Sequence, residues 1–502
     1  MNRQQSSRRG LFFCLLMISV VFTNSCSRET SANVSGDVDS NSSGKKVIRI
    51  AIGTQDQVIN TATGGSVIRE EKLLEKHLPK EGKYANVEYK IEWSSYTSGP
   101  PITNKMLAKQ IDIGLMGDFP ATINMTTFQE KGNGVKTLYI ATLGYSPTGA
   151  GNAVLVPKDS PVTSLADLKG KDVSVPFGSA AHGMLLKALK NEGIDGERDL
   201  KLVSQSPEVG GSSLKTGQID AHANFVPFGE LFSYRGFARK IFDGAQTGTP
   251  TMHGVVVRSD FAKEHPEVVV AYLKALLEAN KMFREQPEAI ATKIEEWSGV
   301  EREVVYMFLG PSGLQRLNPT ISQVSFEALK NSVVTLKQLG KLDTSVDPEE
   351  VTQWTDDSYL RQAMQEMGLN YDEVAKADGF AIAGKDAQTQ QPIEDPKMAA
   401  QIWIKGEDKV MNFASIENMM AMLQKLKTEG DKAVGAIFVH DRNHGWKLFA
   451  ENSFYVRNGK EVSAFLTAQD AQTFAKESGT VVADFKGLQQ TLAQTAVLVG
   501  SR

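Results

Sequence analysis

Short runs of alternating apolar and polar residues are separated along the chain by longer stretches with helical periodicity. Lys46–Ile52 alternates and ends at Gly53, which predicts the first strand. A helix is expected around Ile68–Leu78. Because strands alternate with helices, we expect a mostly parallel sheet covered on both faces. The next strands are predicted at Val87–Trp93, Ile111–Met116 and Thr137–Leu143.

The same alternation begins again at Ala153 and indicates a second α/β lobe. A run at Gly254–Val257 is expected to return the chain to the first lobe, and only helices are predicted from there to Leu339. Two such lobes enclose a cleft, and ligands of open α/β sheets lie at the carboxyl ends of the strands. The strands of the second lobe are predicted at Ala153–Val156, Lys171–Phe177, Leu200–Val203, Ile219–Phe225 and Lys240–Phe242.

A smaller α+β unit is predicted after a polar linker at Gly384–Pro396. Two helices are expected in it, at Ile416–Lys427 and Ala468–Glu477. Its strands are predicted at Gln401–Ile404, Lys409–Phe413, Ala436–His440, Ser453–Arg457, Ser463–Phe465 and Gly479–Phe485.

The segment Gly178–Lys190 has the pattern of a strand-to-helix turn that could hold an anion. Gly178 permits the tight turn and Ser179 is a good N-cap for the helix. The free N–H groups and the dipole at such a helix start can bind a sulfonate, carboxylate, nitrate or phosphate without Lys or Arg. An ordinary capped helix explains the same residues.

Composition excludes few classes of protein. The 502 residues carry a formal net charge of −4, and no basic stripe interleaved with aromatic residues indicates nucleic-acid binding. The length predicts about three domains or lobes.

The N-terminus has the pattern of an export signal. Arginines precede an apolar run at Leu11–Phe22 that is short for a membrane span, and Thr23–Cys26 follows. Residues 1–25 are therefore predicted to be a signal peptide, with lipidation at Cys26 as in a bacterial lipobox. An ordinary signal peptide with an incidental cysteine is the alternative. Ser7–Phe12 also leaves the twin-arginine route open beside the general one.

The segment after Cys26 has the composition of a flexible tether. Residues 26–46 are rich in Ser, Asn, Gly and Asp. Cys14 and Cys26 are the two cysteines of the chain, and cleavage leaves one of them. No intrachain disulfide, cysteine-rich metal site or cysteine nucleophile is then available.

Residues 47–345 resemble the type 2 periplasmic solute-binding proteins of the nitrate/sulfonate/taurine ABC-importer family. The resemblance implies one lobe from residues 47–150 and 255–345, a second from 151–254 and an interlobe cleft. Acidic helical turns and a polar stretch predict a helical extension and linker at 346–396. The matching motifs are Ile111–Pro120, Leu155–Pro161, Leu165–Gly170, Gly178–His182 and Ser259–Pro266.

The resemblance also implies which residues contact the ligand. Where aliphatic-sulfonate binders tend to have Trp-Asp-Pro, this chain has Asn224–Pro227, so the ligand stays open. Other readings are an N-cap role for Asp118, a surface position for His182 and a core position for Phe225. His253 fits a hinge or core position, or one facing the cleft. The implied ligand contacts are Gln55, Gly117, Asp118, Phe119, Ser179, Ala180, His182, Asn224 and Phe225.

Residues 397–490 resemble the NosL family of copper-associated lipoproteins, through Met411–Met419, Phe454–Arg457 and Ala464–Ala471. Cu(I) prefers thiolate or thioether ligands. Met419 and Met422 share a helical face that is typical of a core, so no metal site is predicted. The side chains that could bind the metal are Met411, Met419, Met420, Met422, His440 and His444.

Three functions follow as hypotheses. The first is a monomeric, lipid-anchored binding protein, periplasmic or on the cell surface, that delivers a small ligand to an ABC permease and its ATPase, with no enzymatic activity and no cofactor. The second is an enzyme or binder related to thiamine-pyrimidine synthesis on the same fold, although the chain has no nucleophile elbow, phosphate loop or His-Glu-x-x-His motif. The third is copper handling by the NosL-like unit.

Overall fold

The computed structural model describes residues 45–377, 380–429 and 433–500. The predicted signal peptide, Cys26 and nearly all of the predicted tether lie outside the described residues. Among the described helices, none is both long and apolar enough to cross a membrane.

Eleven strands build the two lobes in the described residues: ten lie where the alternating pattern predicts strands, and the eleventh, at Arg316–Leu317, falls where only helices are predicted. In chain order they are β1 (Lys46–Thr54), β2 (Val87–Ser95), β3 (Ile113–Gly117), β4 (Thr137–Ser146), β5 (Ala153–Pro157), β6 (Asp172–Val175), β7 (Lys201–Ser204), β8 (Ala221–Asn224), β9 (Ala238–Asp243), β10 (Thr251–Arg258) and β11 (Arg316–Leu317).

The helices of the body connect and cover these strands. They are α1 (Ser66–Glu70), α2 (Leu73–His77), α3 (Gly99–Leu107), α4 (Asp118–Lys131), α5 (Ala180–Asn191), α6 (Pro207–Lys215), α7 (Phe228–Tyr234), α8 (Ser259–Glu264), α9 (Pro266–Glu285), α10 (Pro287–Ser298), α11 (Arg302–Leu309), α12 (Gln323–Gln338), α13 (Ser358–Glu366) and α14 (Tyr371–Lys376).

The first lobe contains a six-stranded sheet in the order β11-β4-β10-β3-β1-β2, and the second a five-stranded sheet in the order β7-β6-β8-β5-β9. The α/β class is as predicted. Most strands of each sheet point the same way, as predicted, but both sheets are mixed, because β10 runs antiparallel to β3 and β4, and β5 runs antiparallel to β8 and β9. Both strands carry the chain from one lobe into the other and so enter their sheets from the opposite end.

Two other predicted elements differ locally from the structure. The helix expected at Ile68–Leu78 is divided into α1 and α2, because Lys72 adopts a left-handed conformation with φ of 53°. The strand expected at Gly479–Phe485 is limited to Val482–Ala483, and a helix begins at Phe485. The Asp484 carboxylate, which accepts a hydrogen bond from the Gly487 amide at 2.6 Å, stabilises this helix start.

The elements of the C-terminal unit are β12 (Ala400–Ile404), β13 (Met411–Phe413), α15 (Ile416–Glu429), β14 (Val434–His440), β15 (Lys447–Phe449), β16 (Phe454–Asn458), β17 (Glu461–Phe465), α16 (Ala468–Ser478), β18 (Val482–Ala483) and α17 (Phe485–Gly500). Its strands form two small sheets, in the orders β13-β12-β14-β15 and β17-β16-β18. The first two strands predicted for this unit are present as the antiparallel pair β12–β13.

The C-terminal unit packs on both lobes. On the first lobe, the ring of Tyr306 in α11 lies 5.2 Å from the ring of Trp403 and 5.6 Å from that of Phe438. On the second lobe, Tyr234 at the end of α7 stacks on Phe449 at 5.3 Å. Through these aromatic contacts the three parts of the chain share one hydrophobic core.

Candidate functional site

A cavity of about 170 Å³ lies between the two lobes. The first lobe contributes the ends of β1 and β3 and the starts of α3 and α4, and the second contributes the loops before α5 and α6. The lining residues are Gln55, Ser98, Gly99, Pro100, Gly117, Pro120, Pro176, Phe177, Gly178, Ser179, Ala180, Ser204, Gln205, Ser206, Pro207, Phe225 and His253.

Four helices begin at this cavity. Their N-cap residues are Ser98 for α3, Gly117 for α4, Ser179 for α5 and Ser206 for α6, and all four residues line the cavity. The first N–H groups of a helix have no partner within the helix, and the helix dipole places partial positive charge there. The cavity therefore sits where two helix starts from each lobe concentrate hydrogen-bond donors.

The described residues that line the cavity include no Asp, Glu, Lys or Arg. Hydroxyls, amides, one imidazole and the backbone supply its polar groups, while prolines and two phenylalanines supply an apolar wall. A site with donors but no charged side chain suits an anion that carries a small apolar group.

Five of the nine residues predicted to contact a ligand lie together on this wall: Gln55, Gly117, Ser179, Ala180 and Phe225. Asp118 and Phe119 line a smaller neighbouring cavity of about 30 Å³ instead. His182 and Asn224 line neither cavity and stand behind the wall.

Ser179 shapes the start of α5. Its hydroxyl accepts a hydrogen bond from the His182 amide at 3.4 Å and donates one to the Pro176 carbonyl at 2.6 Å. Gly178 beside it has φ of 76°, a left-handed conformation that glycine adopts without strain. The tight turn predicted from the sequence is therefore present.

His182 stabilises this turn through its imidazole ring. Its Nδ1 accepts a hydrogen bond from the Gly178 amide at 3.3 Å, and its ring stacks on Phe177 at 4.7 Å. Burial, with a smaller contribution from Lys341, lowers the pKa of His182 to about 4. The imidazole is thus neutral near pH 7 and holds the loop in place.

Asn224 is fully buried and holds the end of β8. Its Oδ1 accepts a hydrogen bond from the Phe225 amide at 2.9 Å, and its Nδ2 lies 2.8 Å from His222 Nε2. His222 Nδ1 in turn lies 2.7 Å from the Ser174 hydroxyl. This network orients Phe225, which does reach the cavity.

Asp118 is buried in the first turn of α4, where its Oδ1 accepts a hydrogen bond from the Phe119 amide at 3.0 Å. Burial raises the pKa of Asp118 to about 7, although hydrogen bonds to the carboxyl oppose this shift. The adjacent Phe119 ring crosses from the first lobe to the second and lies against Gly183 of α5.

The starts of α3 and α6 belong to the site, although neither is among the ligand contacts predicted from the sequence. Ser98-Gly99-Pro100 and Ser206-Pro207 each combine an N-cap serine with a proline in the first turn, which is a recognisable helix-start pattern. That pattern marks both helix starts, but only the fold shows that they begin at the same cavity as α4 and α5. The sequence left open whether His253 takes a hinge or core position or faces the cleft, and in the structure it faces the cleft.

The side chains considered for copper are dispersed in the C-terminal unit. Met419 is fully buried in α15, His440 Nδ1 lies 2.7 Å from the Ala399 carbonyl, and His444 Nδ1 lies 2.8 Å from Asp441 Oδ1. Across the described ranges, no group of three or more His, Cys, Asp or Glu residues is placed to hold a metal ion.

Several known proteins are similar in sequence to the two-lobed body. Residues 103–290 match the family described as NMT1/THI5 like. The taurine-binding periplasmic protein of Escherichia coli (strain K12) is 28% identical over 265 residues, covering 50% of this chain and 78% of the relative. A candidate aliphatic sulfonates-binding protein of Bacillus subtilis (strain 168) is 24% identical over 329 residues, covering 66% of this chain and 92% of the relative.

Among solved structures, the alkanesulfonate-binding protein from Xanthomonas axonopodis pv. citri bound to MOPS has the same fold. The TM-score is 0.50 at 23% sequence identity, and the match covers 61% of this chain and 98% of that protein. These similarities support the resemblance of the body to solute-binding proteins of the nitrate/sulfonate/taurine type.

Proposed function

We propose that this chain is an extracytoplasmic binding protein that captures a small oxyanion of the nitrate, sulfonate or taurine type and delivers it to an ABC permease and its ATPase. The observation that carries the proposal is the convergence of four helix N-termini on one interlobe cavity without a charged side chain. The names of the similar proteins agree with it.

Backbone donors are suited to this task. An anion bound by N–H groups of folded helices needs no flexible cationic side chain to be ordered, and each helix start contributes roughly 0.3–1 kcal/mol of charge interaction. The prolines and Phe225 give the organic part of a sulfonate an apolar surface to contact. An inorganic anion such as nitrate would use the donors alone.

Binding would be coupled to lobe closure. Gln55 and Gly117 line the cavity from the first lobe, and Ser179 and Ser206 from the second. A ligand between them contacts both lobes only when the lobes are close, so it shifts the population toward the closed form. The permease would then recognise the closed form.

The cellular location, the membrane anchor and the nature of the C-terminal unit are inferred from the sequence. We propose a periplasmic or cell-surface location with a membrane anchor at lipidated Cys26, a monomeric state and a NosL-like C-terminal unit. The relatives named as periplasmic proteins support the compartment.

No specific observation at the described site favours the enzyme hypothesis or the copper hypothesis. The chain has no cysteine beyond Cys26. His440 and His444 each engage a group of the C-terminal unit itself. Binding is therefore the function that we propose for this chain.

A matched pair of substitutions at Ser206 tests the anion site. The Ser206 hydroxyl accepts a hydrogen bond from the Val209 amide at 3.4 Å, and Asp and Asn both cap helices as well as Ser does. Ser206→Asp adds a negative charge to the cavity wall, whereas Ser206→Asn adds an amide of the same shape.

The readout is a thermal-shift screen of nitrate, taurine and alkanesulfonates, in which a ligand at 100 times its Kd stabilises the protein by about 2.7 kcal/mol. We expect at least one of these anions to stabilise the wild type and Ser206→Asn but not Ser206→Asp. Equal stabilisation of both variants, or none of the wild type, would refute the proposal.

A further inference from the structure

His253 stands where β10 crosses the floor of the cleft. It is paired with Gly117 of β3, and a Cβ on Gly117 would lie 3.4 Å from His253 Nε2. The register between β10 and β4 shifts between Met252 and Gly254. Such an irregularity re-aims the side chain at that position, and here the imidazole lines the cavity.

The other ring nitrogen of His253 faces a buried hydrogen-bond chain. Nδ1 lies 3.4 Å from Asn60 Nδ2, and Asn60 Nδ2 lies 3.1 Å from Gln315 Oε1. Gln315 Nε2 donates to the Ala150 carbonyl at 2.6 Å. Asn60 is 1% exposed and Gln315 2%, so water does not compete for these bonds.

The donor and acceptor of each hydrogen bond in this series follow from its last member, the Ala150 carbonyl. The Ala150 carbonyl can only accept, so Gln315 must present its NH₂ group there and its oxygen to Asn60. Asn60 must then present its NH₂ group to Gln315, and the same group faces His253 Nδ1 and, at 3.5 Å, the Gly144 carbonyl. A flipped Asn60 amide would oppose its oxygen to the oxygens of Gln315 and Gly144. His253 Nδ1 is therefore an acceptor.

A neutral imidazole whose Nδ1 accepts carries its proton on Nε2. Burial lowers the pKa of His253 to about 4, which keeps the ring neutral near pH 7. Among the described residues, no hydrogen bond to His253 Nε2 is present, so its N–H remains available to the cleft.

We propose that His253 donates a hydrogen bond from Nε2 to the bound anion, and that the relay from Ala150 through Gln315 and Asn60 fixes the imidazole in this donor form. His253 is then a specificity-determining residue, and Asn60 and Gln315 are positioning residues. The relay favours a ligand oxygen that accepts a hydrogen bond and rejects a group that can only donate, such as an ammonium, at the same point. This inference rests on the proposed anion-binding function.

The first part of the test is nitrogen NMR of the ligand-free full chain labelled with ¹⁵N-histidine, with the His253 resonances assigned through His253→Gln. We expect a protonated Nε2 and an unprotonated Nδ1. Asn60→Asp replaces the NH₂ group by a second acceptor, so it should move the proton to Nδ1. A proton on Nδ1 in the wild type would overturn the relay.

The second part is calorimetric titration with ethanesulfonate and with nitrate. We expect His253→Met, which removes the donor at similar volume, to weaken binding about 10- to 100-fold, as for a hydrogen bond to a charged group. His253→Gln, which can keep an N–H near the same point, should recover part of this loss. Asn60→Asp should weaken anion binding strongly when it is introduced alone, and less when it is added to His253→Gln.

The outcomes separate this inference from the proposed function. If the wild type binds either anion and His253→Met binds it equally well, the role of His253 fails while the function stands. An equal effect of Asn60→Asp in both backgrounds would show that its charge, not the tautomer of His253, weakens binding. If the wild type binds neither these anions nor those of the thermal-shift screen, both the function and the donor role fail.

Discussion

Phe119 and Gly183 meet across the cleft so closely that a β-carbon on Gly183 would lie 2.2 Å from Phe119 Cζ. Phe119 belongs to α4 of the first lobe and Gly183 to α5 of the second. Since Phe119 is only 7% exposed in this arrangement, moving the lobes apart would return an aromatic ring to water. The pair therefore acts as a contact that depends on closure of the cleft.

Gly183→Val should hold the lobes apart, because a side chain has no space under the Phe119 ring. We expect an affinity for the bound anion at least 10-fold lower, corresponding to about 1.4 kcal/mol. Calorimetric titration measures the affinity, and small-angle X-ray scattering with the anion present measures the radius of gyration, which should be larger than in the wild type.

Lys190→Val is the control, because it places the same β-branched residue on an exposed position of the same helix. Its affinity should equal that of the wild type. Adding Phe119→Ala to Gly183→Val should restore part of the lost affinity, since the smaller side chain makes room. Wild-type binding by Gly183→Val alone would contradict the closure role.

Asp118 should make the stability of the body depend on pH. The folded state raises the pKa of Asp118 to about 7, above the value of about 3.9 in an unfolded chain. The folded protein therefore holds this proton more tightly, and the contribution of Asp118 is fully present below pH 4 and is lost as the pH rises through 7.

Asp118→Asn removes this titration while keeping the size of the side chain. Its melting temperature relative to the wild type should rise between pH 4 and pH 7 and level off above that. Taking the difference cancels the buried histidines, whose lowered pKa values act in the opposite direction. A difference independent of pH would show that Asp118 is ionised normally.

Lys447 should destabilise the junction between the C-terminal unit and the first lobe. Its Nζ lies 3.6 Å from the centre of the Tyr306 ring and has no hydrogen-bond partner among the described residues. Burial lowers the pKa of Lys447 well below its ordinary value. Lys447→Met keeps the length and removes the unpaired amine, so we expect the free energy of unfolding to rise by about 1–3 kcal/mol at pH 7.

The sign of the pH effect follows from linkage. Because the unfolded chain binds the Lys447 proton more tightly than the folded one, the wild type gains stability as the pH rises toward 10. The advantage of Lys447→Met should therefore shrink between pH 7 and pH 10 in urea denaturation. Lys405→Met, at an exposed lysine directly after β12 of the same sheet, should change stability by less than about 0.5 kcal/mol at both pH values.

Cutting the linker should not release the C-terminal unit. A protease site inserted between the exposed residues Glu394 and Asp395 divides the chain, but the contacts of Tyr306 and Tyr234 with the unit remain. We expect the cut protein to elute as one species in size-exclusion chromatography and to unfold in one transition, and we expect the same of the uncut protein. Two separate species would show that the unit is an independent domain.

The sequence alone determined most of the elements, because strand alternation, helix periodicity and N-cap residues are local. Lys46–Ile52 and the turn at Gly178 lie where the pattern placed them. Ser206-Pro207 carried an equally local helix-start pattern that was not used for the site. The family resemblance of the body also came from contiguous motifs.

Tertiary structure decided the relationships between distant segments. Three of these relationships join residues that no local pattern connects. They are the antiparallel pairing of β10, the contact of Phe119 with Gly183 and the series of hydrogen bonds from Ala150 to His253. The same holds for Asp118, whose place at a helix start was readable from the sequence while its burial was not, and the N-cap of that helix is Gly117 rather than Asp118. Burial, hydrogen-bond direction and pKa depend on what packs around a side chain, and packing is settled only when the lobes and the C-terminal unit come together.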